Sequence, residues 1–204
     1  MPENQLILAS QSPRRKTLLA QLGYSFKIQA SDIDEAHLPD ELPEDYVQRL
    51  ATEKAQKVFQ LLSCDEKEVA VVLGSDTSVV INKVILGKPE SLNDCINTLS
   101  LLSGQQHQVI TAVAVISNNA IKTQLVTTKV FFKALTLAEI KAYWHTGEPQ
   151  DKAGSYAIQG LAGQFVKTIH GSYSAVVGLP LYETAELLSQ FGLSTISQNL
   201  ESKA

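Results

Sequence analysis

Two periodicities of hydrophobic and polar positions alternate along the chain, and they predict strands and helices in turn. Short apolar or β-branched runs predict strands at 6–9, 69–73, 108–116, 124–132 and 164–169. Capping residues and apolar spacing predict helices at 12–23, 44–62, 91–104, 136–147 and 181–191. Strands that alternate with helices are typical of the α/β class.

The segments between these elements are predicted to be loops or turns. "GSDT" at 74–77 is predicted to be a loop, and a hairpin is expected to turn at Asn82-Lys83. "EPQDKAGSYAIQG" at 148–160 and "HGSYSAVVGLP" at 170–180 are also predicted to be loops. No repeat or Pro/Gly/Ser-rich linker divides the 204 residues, so the length suits a single domain, 1–204, with two lobes.

Composition and charge exclude several classes of protein. The net charge of −4 argues against a general nucleic-acid binder. Cys64 and Cys95 stand far apart without a CxxC pair, so neither a disulfide framework nor a zinc site is expected. No apolar run approaches the ~18 residues of a membrane span, and "MPENQ" does not resemble a signal peptide. We therefore expect a soluble cytoplasmic protein without nucleic-acid or membrane partners.

Two arginines occupy the predicted start of the first helix. Ser12 fits the N-cap, so Arg14 and Arg15 fall at the second and third helical positions. Cations are unfavourable at this positive end of the helix dipole, and an anion with several charges would remove the conflict. The sequence therefore predicts a phosphate site, and the alternative is a solvated Arg pair salt-bridged to Asp32 or Glu35.

Lys54 interrupts the apolar stripe of the second predicted helix. Six residues form that stripe: Val47, Leu50, Ala51, Val58, Leu61 and Leu62. A lysine that faces inward must reach an anion or extend its ammonium group to the surface. Lys54 therefore either points into a cleft towards a phosphate or carboxylate, or follows the commoner habit of reaching solvent.

Carboxylates gather in two segments. Asp76 in "GSDT" is expected at a strand end, where α/β folds collect active-site groups, and it could bind a divalent cation or accept a proton from water. "SDIDE" adds Asp32, Asp34 and Glu35, and with Asp76 they could form an oxygen-only site suited to Mg²⁺ or Mn²⁺. The alternatives are a turn-forming Asp76 and a solvated acidic loop at 31–35.

Further polar groups lie in predicted loops, among them Lys88 in "LGKP" and Gln159 in "DKAGSYAIQG". The Gln159 amide can donate and accept at once, as recognition of a base edge requires. The four histidines lack metal-site spacing and are interpreted as structural. Four cations and two carboxylates together suit a polyphosphate ester bound with a divalent metal: Arg14, Arg15, Lys54, Lys88, Glu35 and Asp76.

Seven short motifs follow one another along the chain. They are "LASQSPRR", "RLATEKA", "GSDT", "LGKP", "SGQQHQVITAV", "DKAGSYAIQG" and "GSYSAVVGLP". This order resembles that of the Maf-like proteins, which are nucleoside triphosphate pyrophosphatases, over about residues 6–188. The resemblance implies a two-lobed α/β fold with an elongated mixed sheet flanked by helices, similar to that of inosine triphosphate pyrophosphatases, and a nucleotide cleft between the lobes.

The resemblance also implies an activity and its site residues. It implies hydrolysis between the α- and β-phosphates with a divalent metal cation, magnesium or manganese, in the house-cleaning of nucleotide pools. Matched by motif, Asp76 is the expected proton acceptor, and Asp76 and Glu35 are the expected metal ligands. Lys54 and Lys88 are the other expected catalytic residues. Five residues are expected to bind the substrate or to set its identity: Ser10, Arg14, Arg15, Thr77 and Gln159.

The branch of the family sets the expected substrate. "GSDT" with "DKAGSYAIQG" resembles the branch that acts on dTTP and UTP, and modified pyrimidine nucleotides are further candidates. The 7-methyl-GTP branch typically carries Gln where Thr77 stands. Two alternatives stay open: a nucleotide-sensing regulator of septum formation or cell division with little turnover, and a pyrophosphatase for 7-methyl-GTP or inosine triphosphate. A homodimer is expected from the family alone.

Overall fold

The computed structural model describes residues 4–195 and builds one mixed sheet from seven strands. The strands are β1 Gln5–Leu8, β2 Phe26–Ile28, β3 Ala70–Ile81, β4 Val84–Leu86, β5 Gln106–Ile116, β6 Ile121–Phe132 and β7 Val166–His170. Their order is β2-β1-β3-β5-β6-β7, and β4 pairs with the outer half of β3. β1 is parallel to β2 and β3, and the other pairs are antiparallel.

Seven α-helices flank the sheet within the described residues. They are α1 Pro13–Gln21, α2 Pro43–Leu61, α3 Cys64–Lys67, α4 Leu92–Leu102, α5 Leu137–Trp144, α6 Tyr173–Val177 and α7 Leu181–Ser189. Three 3₁₀ segments follow α5, at Glu148–Asp151, Ala153–Ser155 and Leu161–Phe165. The α/β class and the helix-flanked mixed sheet are therefore confirmed, whereas the single domain with two lobes stays a prediction. No described helix is long and apolar enough to cross a membrane.

Serine and threonine caps begin three of the helices where the sequence predicts them. Ser12 accepts a hydrogen bond from the Arg15 amide at the start of α1. Ser91 caps α4, and Thr136 forms a capping box with Glu139 at the start of α5. These side chains satisfy backbone donors that have no partner inside the helix, and they fix where each helix begins.

The core lies on both faces of β3, because successive side chains of a strand point to opposite sides. Ala70 and Val72 pack in a cluster with the apolar face of α2, whereas Val71 and Leu73 pack in a cluster with α1 and α7. A third cluster joins the outer half of β3 to α4 and α5. β3 is therefore buried along almost its whole length, and its polar residues must find partners inside the protein.

The prediction of a loop at 74–77 is wrong, because β3 continues without interruption through this segment. Asp76 consequently lies in the middle of a strand and not at its end. Polar side chains in an otherwise apolar run suggested a break, but they are satisfied by tertiary contacts, as when the Ser75 hydroxyl donates to the Gly178 carbonyl at 3.1 Å. The alternative of a turn-forming Asp76 is wrong as well, because Asp76 pairs with Ala112 of β5.

Two other local predictions need correction. The predicted loop 170–180 contains α6, whose five residues are too few to show helical periodicity and which Ser172 caps. The strand predicted at 164–169 begins only at Val166, because the preceding residues form a 3₁₀ turn. The short elements β2 and α3 were not predicted from the sequence.

Candidate active site

A cavity of about 1380 Å³ opens between the start of α1, the middle of β3 and the segment 29–42. It exceeds the roughly 300–1,000 Å³ of most small-ligand pockets, so a nucleoside and a triphosphate have room. All nine residues predicted for the site line it: Ser10, Arg14, Arg15, Glu35, Lys54, Asp76, Thr77, Lys88 and Gln159. The structure thus brings them to one place, and their chemical roles stay predictions.

Lys54 lies between two carboxylates at the wall of this cavity. Its Nζ is 2.7 Å from Asp76 Oδ1 and 2.7 Å from Glu35 Oε1. The Lys54 and Asp76 side chains are both 10% exposed, whereas that of Glu35 is 52% exposed. The alternative that Lys54 reaches solvent is therefore wrong. One buried cation holds two acidic groups together and offsets their mutual repulsion.

Gly74 explains how Lys54 comes so close to β3. A Cβ atom at Gly74 would lie 2.2 Å from the Ala51 carbonyl oxygen and 2.9 Å from the Ala55 amide nitrogen. The absent side chain therefore lets α2 pack directly on the strand. Asp76 follows two residues later on the same face of β3, which places it beneath Lys54.

Arg15 is a half-buried cation at the third position of α1. Its Nε donates to the Gly178 carbonyl at 2.9 Å, Nη1 to the Ser10 hydroxyl at 3.4 Å and Nη2 to the Thr77 hydroxyl at 3.3 Å. Burial lowers the pKa of the Arg15 guanidinium from its ordinary value, and the negative charge of Asp76 opposes that shift. Because a guanidinium stays protonated in proteins, Arg15 is a fixed positive charge in the cavity wall.

The alternative of a salt bridge from the Arg pair to Asp32 or Glu35 is wrong. Within residues 4–195, neither Arg14 nor Arg15 has a carboxylate within ion-pair distance. The start of α1 therefore presents two arginines to the cavity without a protein anion in contact with either of them. Such a surface favours a ligand that carries several negative charges.

The hydroxyl of Thr77 belongs to a network that the sequence did not reveal. Thr111 Oγ1 lies 3.0 Å from Thr77 Oγ1 and 2.7 Å from the Ala175 carbonyl. Thr111 is fully buried in β5, within a run of β-branched and small apolar residues, so its polarity attracted no functional interpretation. The network ties α6 to the centre of β3 and fixes the cavity wall around Thr77.

Glu35 is the more exposed of the two acidic groups that contact Lys54. Burial alone would raise the pKa of Glu35, but the hydrogen bond and charge of Lys54, together with Lys88 and Arg15, hold it below its ordinary value. Glu35 is therefore a carboxylate at neutral pH. It lines the cavity together with Lys54, Lys88 and Arg15, whose charges stabilise its ionised form.

The four-carboxylate metal site considered from the sequence is not assembled. Among the described residues, no three His, Cys, Asp or Glu side chains are placed to hold one ion. Asp34 does not line the cavity, and its carboxylate accepts from the Ala36 amide. Glu35 and Asp76 alone still suit Mg²⁺, which proteins usually hold through one or two carboxylates with substrate phosphates and water.

One part of the cavity wall is apolar and neutral. Val79, Leu86, Val109 and Tyr156 line it, and the Tyr156 hydroxyl lies 2.9 Å from His107 Nε2. His107 is buried against the ring of Phe132. This placement agrees with the structural role that the sequence suggests for His107.

Comparison with known proteins assigns the family. The model of the family described as "Maf-like protein" matches residues 5–191. The chain belongs to the Maf-like family. The resemblance carried by the seven motifs is thereby confirmed.

Relatives of this Maf-like chain cover nearly its whole length. A protein of Colwellia psychrerythraea is 67% identical over 188 residues, which are 92% of this chain and 89% of the relative. Proteins of Pseudoalteromonas atlantica and Vibrio parahaemolyticus are 57% and 56% identical, over 93% and 91% of this chain and 98% and 96% of their own lengths. All three are named dTTP/UTP pyrophosphatase.

Proposed function

We propose that this Maf-like chain hydrolyses dTTP and UTP to the nucleoside monophosphate and pyrophosphate. The observation that carries the proposal is the contact of Lys54 with both Glu35 and Asp76 in a cavity that two arginines also line. The names of relatives up to 67% identical support the substrates. Modified pyrimidine nucleotides are further candidates, in keeping with a house-cleaning role.

The triphosphate binds at the cationic wall. Arg14 and Arg15 meet its negative charge at the start of α1, which is the positive end of the helix dipole. Lys88 approaches from the segment after β4. These groups neutralise charge that would otherwise repel an attacking water molecule.

Asp76 is the proton acceptor for that water. The water oxygen forms a bond to the α-phosphorus, and its proton passes to the Asp76 carboxylate. The bond from the α-phosphorus to the bridging oxygen breaks, and pyrophosphate leaves with the electron pair. Lys54 holds the carboxylate oriented towards the cavity from 2.7 Å away.

Glu35 and Asp76 are the residues that would hold a magnesium or manganese ion. When bound, such an ion neutralises charge on the phosphate oxygens and orients them. Both carboxylates contact Lys54 Nζ, and no third acidic ligand joins them within residues 4–195, so substrate phosphates and water would complete the coordination.

Thr77 and Gln159 select the base. The Gln159 amide carries a donor and an acceptor, which matches the adjacent N–H and carbonyl that uracil and thymine share. Cytosine presents a different donor and acceptor order on the same edge. A Gln amide turned by 180° matches cytosine as well, so the proposed preference for dTTP and UTP over CTP rests on the names of the relatives.

Release of pyrophosphate from a panel of nucleotides tests the proposal. With magnesium or manganese, dTTP and UTP should release pyrophosphate much faster than CTP, 7-methyl-GTP or inosine triphosphate. Faster release from either purine nucleotide would show that the chain is a pyrophosphatase for that nucleotide instead. Tight binding of dTTP without release would instead favour the nucleotide-sensing alternative. A homodimer and a cytoplasmic location remain expectations, which sedimentation and cell fractionation can test.

A further inference from the structure

Glu35 lies on a long irregular segment between β2 and α2. Residues 29–42 contain no helix or strand, and connections of this length within a compact domain are usually functional. A carboxylate on such a segment keeps a fixed position only if the backbone beside it is anchored. Its contact with Lys54 holds the Glu35 side chain but not the backbone that carries it.

Two side chains of α2 anchor that backbone. The Tyr46 hydroxyl donates to the Glu35 carbonyl at 2.9 Å, and Arg49 Nη2 donates to the Ala36 carbonyl at 3.1 Å. The Arg49 guanidinium also lies 5.5 Å from the centre of the Tyr46 ring. The helix that supplies Lys54 therefore also holds the main chain on which Glu35 stands.

Arg49 also binds the other end of the segment 29–42, through the carboxylate of Glu41. Its Nε and Nη2 donate to the two Glu41 carboxylate oxygens at 2.6 and 2.7 Å. Glu41 also accepts from the Leu38 amide at 3.1 Å, so the stretch from Ala36 to Glu41 is closed around one guanidinium. This forked pair restricts orientation as well as distance, and a lysine could not reproduce it.

The Arg49–Glu41 pair persists over a wide pH range. The hydrogen bond from Arg49 lowers the pKa of Glu41 to about 2 and raises that of Arg49. The two side chains are only 19% and 7% exposed, which limits competition from water. α2 itself depends on a different set of contacts, since Val47, Leu50 and Val58 hold it in the core.

We propose that Arg49 is a positioning residue for Glu35. It lies outside the cavity lining and acts by fixing residues 36–41, so that the neighbouring Glu35 carboxylate meets Lys54 and the substrate. The inference rests on the proposed function, because it assigns Arg49 to the Glu35 side of that site. It also gives a role to the arginine of the "RLATEKA" motif, from which Lys54 alone lines the cavity.

Kinetics of Arg49→Gln with dTTP provide the first test. Misplacement of a catalytic group by about 1 Å can reduce turnover by up to ~100-fold, so we expect kcat to fall ~10–100-fold with a much smaller change in KM. Glu53→Gln is the matched control, because Glu53 is the other partner of Arg49, at 3.3 Å, and is more exposed. Its kcat should stay within about twofold of wild type, as for a surface pair. An Arg49→Gln variant with wild-type kcat would overturn the proposal.

A double-mutant cycle separates positioning from general destabilisation. In a Glu35→Gln background, adding Arg49→Gln should reduce kcat by no more than about twofold, because the group that Arg49 positions is already lost. The same fold-loss in both backgrounds would mean that Arg49 does not act through Glu35, and would contradict the proposal. Full activity of Glu35→Gln alone would refute the role of Glu35 on which the proposal rests.

Amide hydrogen exchange tests the positioning without any turnover. Arg49→Gln should accelerate exchange at the Leu38 amide, which now donates to Glu41, while amides in the core of α2 stay protected. Unchanged exchange at Leu38 would overturn the proposal even if the enzyme were inactive on every nucleotide. Failure of wild type to release pyrophosphate, with this exchange result intact, would instead count against the proposed function.

Discussion

Lys54 and His107 are both buried, and both contact a residue that lines the same cavity. They differ in how burial is made tolerable, because Lys54 is paired with carboxylates whereas His107 is kept neutral. Lys54 lies 2.7 Å from each of two carboxylates. His107 has the Tyr156 hydroxyl at 2.9 Å and the ring of Phe132 beside it, and burial lowers its pKa to about 4. One wall of the cavity therefore holds balanced charges, and behind the other lies an imidazole that stays neutral at physiological pH.

The difference shows how one cleft can accept a nucleotide. A triphosphate needs fixed charges near its phosphorus atoms, and these must be compensated in the free protein. A base and sugar need apolar contacts and neutral polar groups, which cost less to bury. The two walls can be distinguished by a substitution that removes charge compensation on one side and by lowering the pH to protonate His107 behind the other.

Lys54→Met tests the charged wall and should have the largest effect on stability. It leaves the buried Asp76 carboxylate without its cation, and breaking a buried ion pair typically costs about 3–5 kcal/mol. The free energy of unfolding in urea should fall by that order. The double variant Lys54→Met/Asp76→Asn should recover part of the loss, because the orphaned charge is gone. A double variant less stable than Lys54→Met would contradict this interpretation.

Acid titration of stability tests the neutral wall. The unfolded chain binds a proton at His107 near pH 6.5 and the folded protein only near pH 4, so stability falls as the pH falls between these values. The shift corresponds to about 3 kcal/mol. His107→Gln should remove this part of the pH dependence when urea unfolding is measured at several pH values. An unchanged pH profile would show that His107 titrates normally in the folded protein.

Gly74→Ala tests the packing that brings the charged wall together and should have a smaller effect. Its Cβ would lie 2.2 Å from the Ala51 carbonyl, so α2 must move away from β3. Overpacking of this kind costs about 1–3 kcal/mol and should also lengthen the Lys54–Asp76 contact. Gly87→Ala is the matched control, since nothing lies within 4 Å of a Cβ there. Equal stability of the two variants would refute the close approach of α2.

Local signals in the sequence account for much of the fold. The caps at Ser12, Ser91 and Thr136 act within three residues of chain, so the corresponding helix starts were predictable. The continuity of β3 through Gly74–Thr77 was not, because it depends on a helix that packs on Gly74 and on a carbonyl that Ser75 reaches 103 residues away.

Local patterns and motif order together identified the nine candidate residues, but they did not reveal which contacts hold those residues in place. The contacts of Arg49 with Glu41 and of Thr77 with Thr111 depend on where the segment 29–42 and the strands pass one another. The periodicity of hydrophobic and polar residues does not predict how this segment and these strands are placed relative to one another. Tertiary geometry is therefore needed to distinguish residues that touch the cavity from residues that position them.

The rate of pyrophosphate release from dTTP by Asp76→Asn, compared with wild type, tests the central claim most directly. Asparagine keeps the shape of the side chain but removes its capacity to accept a proton, so turnover should fall by about 10²–10⁴ while dTTP still binds. Circular dichroism and urea unfolding of the same variant establish that it is folded. Wild-type turnover in folded Asp76→Asn would contradict the assignment of Asp76 as the proton acceptor.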